Sequence, residues 1–466
     1  MRALIVDPAL RHQAPARRRG RRAPAPPGPL PVQVRQVPVP VPQAPGWVLV
    51  TPALAGICAG DLNLVSGAAA PSVLSAYEHR APVIPGHEVV GVVAGASSTR
   101  WAKEGDRVLV EPTLRCTHKG LPECARCRAG DTHLCENRDR AGALCSGPSI
   151  GNSERAGGGW SEGFLAHEDM LVPADTIPDQ RGVLAEPLAS AVHAVLHWHR
   201  RGDRAAVLGA GAQARLVVAS LRRLHPDLDI TVLYDTRNPW RPRLGPRARR
   251  PAHMQGDVSA DFAAIRSMGA SRVLRGSGEE HLRRVAEILG ARVLAPQNGA
   301  LPVLDGGVDA VFDCHASAES LETGVRLLRA GGMLVLAARP SLQLVEWPLI
   351  WARELTVVGS ALYGRESSGH RTFAIAREWL ADTAFPIDSL VTHRFPLEDH
   401  EAAISVAVAG VSAGAVKVVF EGPAAEMRVR MDAEPAAADQ AIDVPLLLHA
   451  TSAHTRTGAR TASNGS

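Results

Sequence analysis

The run from Cys116 to Cys135, CTHKGLPECARCRAGDTHLC, holds four of the chain's seven cysteines. Thiols this crowded have three chemistries open to them: disulfides, a dithiol redox pair, or a metal site. The N-terminus, MRALIVDPALRHQAPARRR, lacks the charged, apolar, small-residue order of a secretory leader. No apolar stretch reaches the roughly 18 residues of a membrane span. The expectation is a cytoplasmic protein, where thiols stay reduced and clustered cysteines read as metal ligands before disulfides. A redox pair at Cys124 and Cys127 is the alternative, but CARC lacks the strand–helix setting of a thioredoxin-like motif. Four thiolates on one zinc close the tetrahedron and leave no open position, so such a site serves folding.

A second set of chemical groups is dispersed: Cys58 in GICAGDLNLVSG, His87 and Glu88 in IPGHEVVGVV, and Glu186 in LAEPLASAVHAV. Each has a plain reading, as a small buried hydrophobe, a loop histidine or a helix-start acid. Taken together, Cys, His and carboxylate are ligand types for a zinc that keeps an open position for substrate. The third feature is VLGAGAQA. Gly209 and Gly211 follow an apolar strand and open a helix, where backbone N–H groups can approach a pyrophosphate, and Ala214 takes the third small position. Asp235, at the end of the next strand, is placed to hold the ribose hydroxyls of NAD. Arg237 keeps NADP open, because an arginine there can hold a 2′-phosphate.

The elements that must position these residues fall into two patterns. From GWVLVTPALAGIC to RVLVEP the chain is short β-rich runs broken by Gly and Pro. The proline-rich stretch 23–45 before it cannot be helical. After Glu186 strands alternate with helices: RAAVLG, ITVLYD, VDAVFDC, GGMLVLAA and ELTVVGS as strands, SAESLETGVRLLRA as an intervening helix. That alternation predicts a parallel, doubly wound sheet. HRTFAIAREWLA is then a helix and GAVKVVFEG a closing strand. The stretch from Arg237 to Phe262 reads as a surface insertion. The tail from Pro423 is rich in Ala, Ser and Thr and reads as disordered.

Length of 466 residues argues for more than one domain. The net charge of +4 is not concentrated beside aromatic residues, so neither nucleic-acid nor membrane partners are expected. Arginine supplies all but three of the 51 basic side chains, a composition bias rather than a chemical signal.

GICAGD, PGHEVVGVV, GDRVLVEP, EPLASAVHAV, VLGAGAQA and DAVFDCHASAESLETGVRLLRAGGMLVLAA fall in the order of the medium-chain zinc-dependent alcohol dehydrogenases, which this chain resembles over about residues 45–420. Glutamate in EPL is the pattern of the polyol, glucose and threonine dehydrogenase branch. The resemblance implies an α/β fold: a GroES-like β-rich catalytic domain (1–187, with a structural-zinc lobe at 112–140), a Rossmann domain (188–360), a catalytic return segment (361–422) and the tail (423–466). It implies two zinc ions per chain. Cys58, His87 and Glu186 would hold the catalytic one, with Glu88 as an alternate ligand. Cys116, Cys124, Cys127 and Cys135 would hold the structural one, although the first interval is seven residues where the family has two. It further implies NAD (NADP possible), a small alcohol or carbonyl substrate and a homo-oligomer, dimer or tetramer. A lyase or epimerase-like use of the fold and a non-catalytic zinc- and dinucleotide-binding protein are the competing readings. The family's proton-relay positions are Gly60 and Asn63 here, and neither can relay a proton by titrating.

Overall fold

The computed structural model describes residues 1–7, 31–66, 82–200, 202–234, 258–276, 278–296, 301–340, 343–366 and 369–424. Strands β1 (Arg2–Val6) and β2 (Val32–Gln36) pair antiparallel, the second emerging from the proline-rich stretch, whose fixed φ suits extended backbone. Next come β3 (Trp47–Gly56), β4 (Val89–Ala96), β5 (Arg107–Val110), β6 (Phe164–His167) and β7 (Leu171–Pro173). The second half holds β8 (Arg204–Leu208), β9 (Asp229–Tyr234), β10 (Arg272–Arg275), the pair β11 (Arg292–Leu294) and β12 (Val303–Asp305), then β13 (Val308–Asp313), β14 (Leu328–Leu336) and β15 (Thr356–Gly359). β16 (Val391–Phe395) and β17 (Lys417–Glu421) close the described chain. The helices used below are α1 (Ala59–Ser66), α2 (Ala185–Leu196), α3 (Ala212–Leu224), α4 (Val258–Ser267), α5 (Gly278–Leu289), α6 (Ala318–Leu327), α7 (Trp347–Ala352), α8 (Thr372–Ala381) and α9 (His400–Ala409).

Two sheets carry the molecule. The first runs β16-β17-β3-β4-β5-β7, with β6 also on β3. Its pairs are antiparallel except β16 with β17, so strands nearly the length of the chain apart lie side by side: Val419 faces Gly56. The second is parallel, in the order β10-β9-β8-β13-β14-β15. That is the doubly wound order 3-2-1-4-5-6, in which a crevice opens where the order reverses, here between β8 and β13. Its central strands are buried on both faces, as RAAVL and VDAVFD require by their continuous apolar runs. α6 starts at the Ser317 cap, whose side chain accepts from the Ser320 N–H.

α2 joins the two sheets. Ten of its twelve residues are buried, against α3 and α8. Below it the wholly buried guanidinium of Arg181 caps α8, donating to the carbonyls of Leu380 and Asp382 at 2.7 and 2.6 Å and pairing with Asp388. α4 begins at Val258, so the end of the stretch read as a surface insertion is helical. The remainder of that stretch and nearly all of the tail lie outside the described residues. Among the described residues no helix is long and apolar enough to cross a membrane.

Candidate active site and metal centres

β3 delivers the chain to Cys58, and α1 starts at the next residue. The N–H groups of Gly60 and Asp61 point back to Cys58 Sγ at 3.0 and 3.4 Å, a helix-start arrangement that favours thiolate. Gly86 holds φ +93°, and a Cβ there would collide with Trp160, so the turn before His87 requires glycine. That turn sets His87 Nε2 3.4 Å from Cys58 Sγ. Ligands on one zinc, with bonds of about 2.3 Å to sulfur and 2.0 Å to nitrogen, stand about 3.5 Å apart. Asp61 faces His87 Nδ1 at 3.4 Å through one oxygen and accepts the Cys58 N–H at 3.0 Å through the other. It therefore faces the imidazole and fixes the Cys58 backbone. A carboxylate behind a metal-facing histidine is the usual second support of such a site.

Asp61, not Glu186, completes the cluster of ligand atoms lying within 4.8 Å of one another. Glu186 sits in the first turn of α2, buried. Burial pushes its carboxyl up to about 7, with His87 pulling down and Glu88 pushing up, which puts it in the same electrostatic neighbourhood. Burial likewise lifts the Cys58 thiol to about 11. Both groups must lose protons to bind a cation, so metal uptake here is coupled to proton release. Glu88 has both oxygens on Lys417 Nζ, at 2.7 and 2.6 Å, in a pair that is almost wholly buried. The pair excludes a side chain at Gly56, whose Cβ would fall 1.9 Å from Glu88 Oε2. Glu88→Gln should destabilise the protein by about 3–5 kcal/mol, because it strands a buried ammonium, and adding Lys417→Met should recover most of that. Urea unfolding of the three proteins checks it, and equal stability of Glu88→Gln and wild type would contradict it.

Nearby, the Tyr363 hydroxyl meets Thr113 Oγ1 at 2.9 Å, and Glu111 pairs with Arg371. Burial, then the charges of Glu186 and Glu111, hold the Tyr363 phenol well above its ordinary range. None of Asp61, Lys417, Tyr363, Thr113, Glu111 or Arg371 was singled out from sequence. Asp61 alone carried a local signal, a carboxylate three residues after Cys58.

The four lobe cysteines converge, their sulfurs lying within 4.8 Å of one another. Cys116 and Cys135 stand 3.5 Å apart, close to the roughly 3.8 Å edge of a zinc–thiolate tetrahedron. The N–H groups of Cys124, Cys127 and Glu136 approach the sulfurs of Cys116, Cys124 and Cys124, each at 3.4 Å, and the Asn137 amide reaches Cys116 at 3.2 Å. The long first interval makes a turn at Thr117–Lys119, reverses at Gly120 (φ +69°) and returns the Leu121 N–H to the Cys116 carbonyl at 3.0 Å. A third grouping, His118, His167 and Asp169, is an ion-pair knot: Asp169 has one oxygen on Arg100 and the other on Arg115. Cys145 and Cys314 are both held protonated by burial.

At the crevice, Gly209 holds φ +116°, with Ala214 and the Cys314–His315 backbone packed around it, and Gly211 caps α3. Arg215, buried, donates to the Ala210 carbonyl at 2.9 Å and pairs with Asp261 on α4, fixing the turn from behind. Asp235 and Arg237 lie outside the described residues; β9 ends at Tyr234.

Residues 44–179 match the Alcohol dehydrogenase GroES-like domain family, and residues 259–381 match the Zinc-binding dehydrogenase family. An L-threonine 3-dehydrogenase of Edwardsiella ictaluri is 26% identical over 337 residues, 71% of this chain and 81% of that protein. A zinc-binding dehydrogenase of Sinorhizobium meliloti, solved bound to NADP, superposes with a TM-score of 0.59 at 27% identity over 84% of this chain and 96% of its own. The 2R,3R-butanediol dehydrogenase of Bacillus subtilis shares the fold, with a TM-score of 0.60 at 22% identity over 84% and 96%.

Proposed function

Since the chain belongs to the medium-chain zinc-dependent alcohol dehydrogenase family and is an NAD(P)-dependent oxidoreductase of alcohols or the matching carbonyls, we propose that Cys58, His87 and Glu186 hold its catalytic zinc. The observation that carries this is the 3.4 Å approach of Cys58 Sγ and His87 Nε2, with Asp61 oriented behind both. Bound there, zinc supplies Lewis-acid polarisation of a substrate oxygen. The chain's own contribution is the rest. α1 and Asp61 hold the thiolate and imidazole, Glu186 brings the third donor from α2, and the Gly209–Gly211 turn receives the cofactor pyrophosphate at the start of α3. Cys116, Cys124, Cys127 and Cys135 are proposed to hold the second, structural zinc. NAD is proposed over NADP, because an acid at Asp235 disfavours a 2′-phosphate; a kcat/KM ratio favouring NADP would reverse this and point to Arg237. The substrate class supported by the relatives is a small secondary alcohol, a polyol or a hydroxy amino acid such as L-threonine. Reduced-cofactor absorbance with a panel of such alcohols and both cofactors tests the reading, and no turnover with any of them would favour a non-catalytic zinc- and dinucleotide-binding role.

Proton exit is the weak point of this active site. Gly60 offers no hydroxyl, and a side chain there is tight, its Cβ falling 3.1 Å from Cys58 Sγ. Asn63 does not titrate. Small non-coordinating buffers should therefore accelerate oxidation in proportion to their concentration near neutral pH, by general base catalysis from solvent. A rate indifferent to buffer at fixed pH and ionic strength would show that another relay operates.

We also propose a homodimer built on β15. It is the edge of the parallel sheet, Val357 on it is exposed, and Trp347 and Trp351 of the preceding α7 are 68% and 83% exposed. Trp351→Glu should halve the mass measured by light scattering. An unchanged mass would exclude this face.

A further inference from the structure

Arginine has taken nearly every basic position in this chain, and only Lys103, Lys119 and Lys417 remain as lysines. Lys103 is exposed. The other two are buried, at 0% and 4% exposure, and each is tied to one of the two candidate metal clusters: Lys119 to Asn137, whose amide reaches Cys116 Sγ, and Lys417 to Glu88 beside His87. In a composition that substitutes arginine almost everywhere, these are the positions where a compact ammonium is kept instead of a planar, five-donor fork. Lys417 is matched by Glu88. Among the described residues Lys119 has no carboxylate in hydrogen-bond contact: its Nζ donates to the carbonyls of Asn137 and Arg138, both at 2.7 Å, and the nearby groups whose charges act on it are Cys145, Cys135, Asp139 and Cys116.

An isolated buried ammonium is costly unless an opposite charge faces it. The lobe has such a charge once it is loaded, because four thiolates on a divalent zinc leave a net charge of minus two. Lys119 lies in the THKGLPE interval that lengthens the first cysteine spacing. The turn that returns Leu121 to Cys116 is the same turn that sets the Lys119 ammonium on the carbonyls two and three residues after Cys135.

We propose that Lys119 is the built-in counter-charge of the tetracysteine zinc site, and that the inserted interval exists to bring it there. This rests on the structural-zinc reading given above. Two carbonyls fix the ammonium in place, so the compensation is preorganised and not screened by salt as an exposed pair would be. The lobe then gains metal affinity from a residue that is not a ligand, as outer partners of metal sites do. The N–H groups aimed at Cys116 and Cys124 work in the same direction.

The test uses the full-length protein with Cys58→Ala, so that the metal counted is the lobe's. In that background Lys119→Met and Lys119→Gln are compared with Lys119 for zinc retention against a chelator and for the charge-transfer absorption of the cobalt-substituted site. Glutamine keeps an N–H donor for the carbonyls and drops the charge. Both variants should hold zinc about 10- to 100-fold more weakly, the usual loss for an outer partner, and should shift the cobalt–thiolate band, while metal-free proteins melt alike. Retention by Lys119→Gln equal to that of Lys119 would assign the lysine to hydrogen bonding alone and overturn the proposal. Equal destabilisation of metal-free and metal-loaded proteins would do the same. If the Cys58→Ala protein holds no zinc at all, the structural-zinc reading itself falls, and the counter-charge with it.

Discussion

Glu186→Ala is expected to lower kcat for alcohol oxidation about a thousandfold or more, since metal polarisation contributes several kcal/mol and each 1.4 kcal/mol is about tenfold in rate. Zinc content should fall from two per chain to one, with the fold intact. The fold should survive because Glu186 is a buried carboxyl whose burial already favours its neutral form, pushing it up to about 7. Its removal relieves the like charge on Glu88 and leaves the Glu88–Lys417 pair, the Cys58–His87–Asp61 contacts and the buried face of α2 in place. Alanine is also the best residue for a helix first turn after an acid is lost. The measurement is steady-state kinetics beside elemental analysis and a thermal melt. An active variant, or one that keeps both metals, would remove Glu186 from the zinc site and leave Asp61 as the carboxylate to examine.

The strand–glycine–helix turn at Gly209 and Gly211 was legible because every residue that makes it is local: the apolar run, the φ-positive glycine and the helix pattern lie within about twenty residues of one another. The four-cysteine lobe was legible for the same reason. What the sequence could not supply are contacts made by the return of the chain. Glu88 and Lys417 are separated by 329 positions, and they meet only because β17 inserts beside β3. Tyr363, in the segment between β15 and α8, reaches Thr113 across 250 positions. From sequence alone Glu88 reads as an alternate ligand, because nothing near it in the chain points to Lys417. Arg215 was unreadable for a different reason: a helix arginine reads as solvent-facing by type, and only the Ala210 carbonyl and Asp261, both placed by tertiary structure, make it a buried one. β2 (VQVRQ) is hidden by the prolines that flank it, which exclude a helix but do not announce a strand; β1 supplies the partner that makes it one.

Removal of zinc from the lobe should have the larger effect on structure. The lobe's own apolar cluster consists of Cys116, Cys127 and Cys135 with Cys124 and Leu121 packed against it, so its core is the proposed ligand set. So small a segment buries too little apolar surface to fold without a staple. A structural zinc contributes about 10–16 kcal/mol to small sites of this kind, as much as the whole stability of an ordinary domain. Cys127→Ser removes a buried proposed ligand and leaves a hydroxyl among three thiols, of which burial pushes that of Cys135 above its ordinary range. The lobe should then open locally. One of its contacts with the rest of the chain, the His133 ring edge-on to His193 and close over Gly364, should be lost with it. Arg126, Arg128, Arg138 and Arg140 should become trypsin sites, and amide exchange across 116–140 should rise to that of an exposed loop while the parallel sheet stays protected. Solubility should fall, because opening exposes the lobe's own apolar cluster. Chelation of the wild-type protein should reproduce the cleavage pattern, and zinc should reverse it. A Cys127→Ser protein that resists trypsin across the lobe as wild type does would show that hydrogen bonds from Lys119 and Asn137 suffice to hold it, and that the four sulfurs converge without a metal to bind.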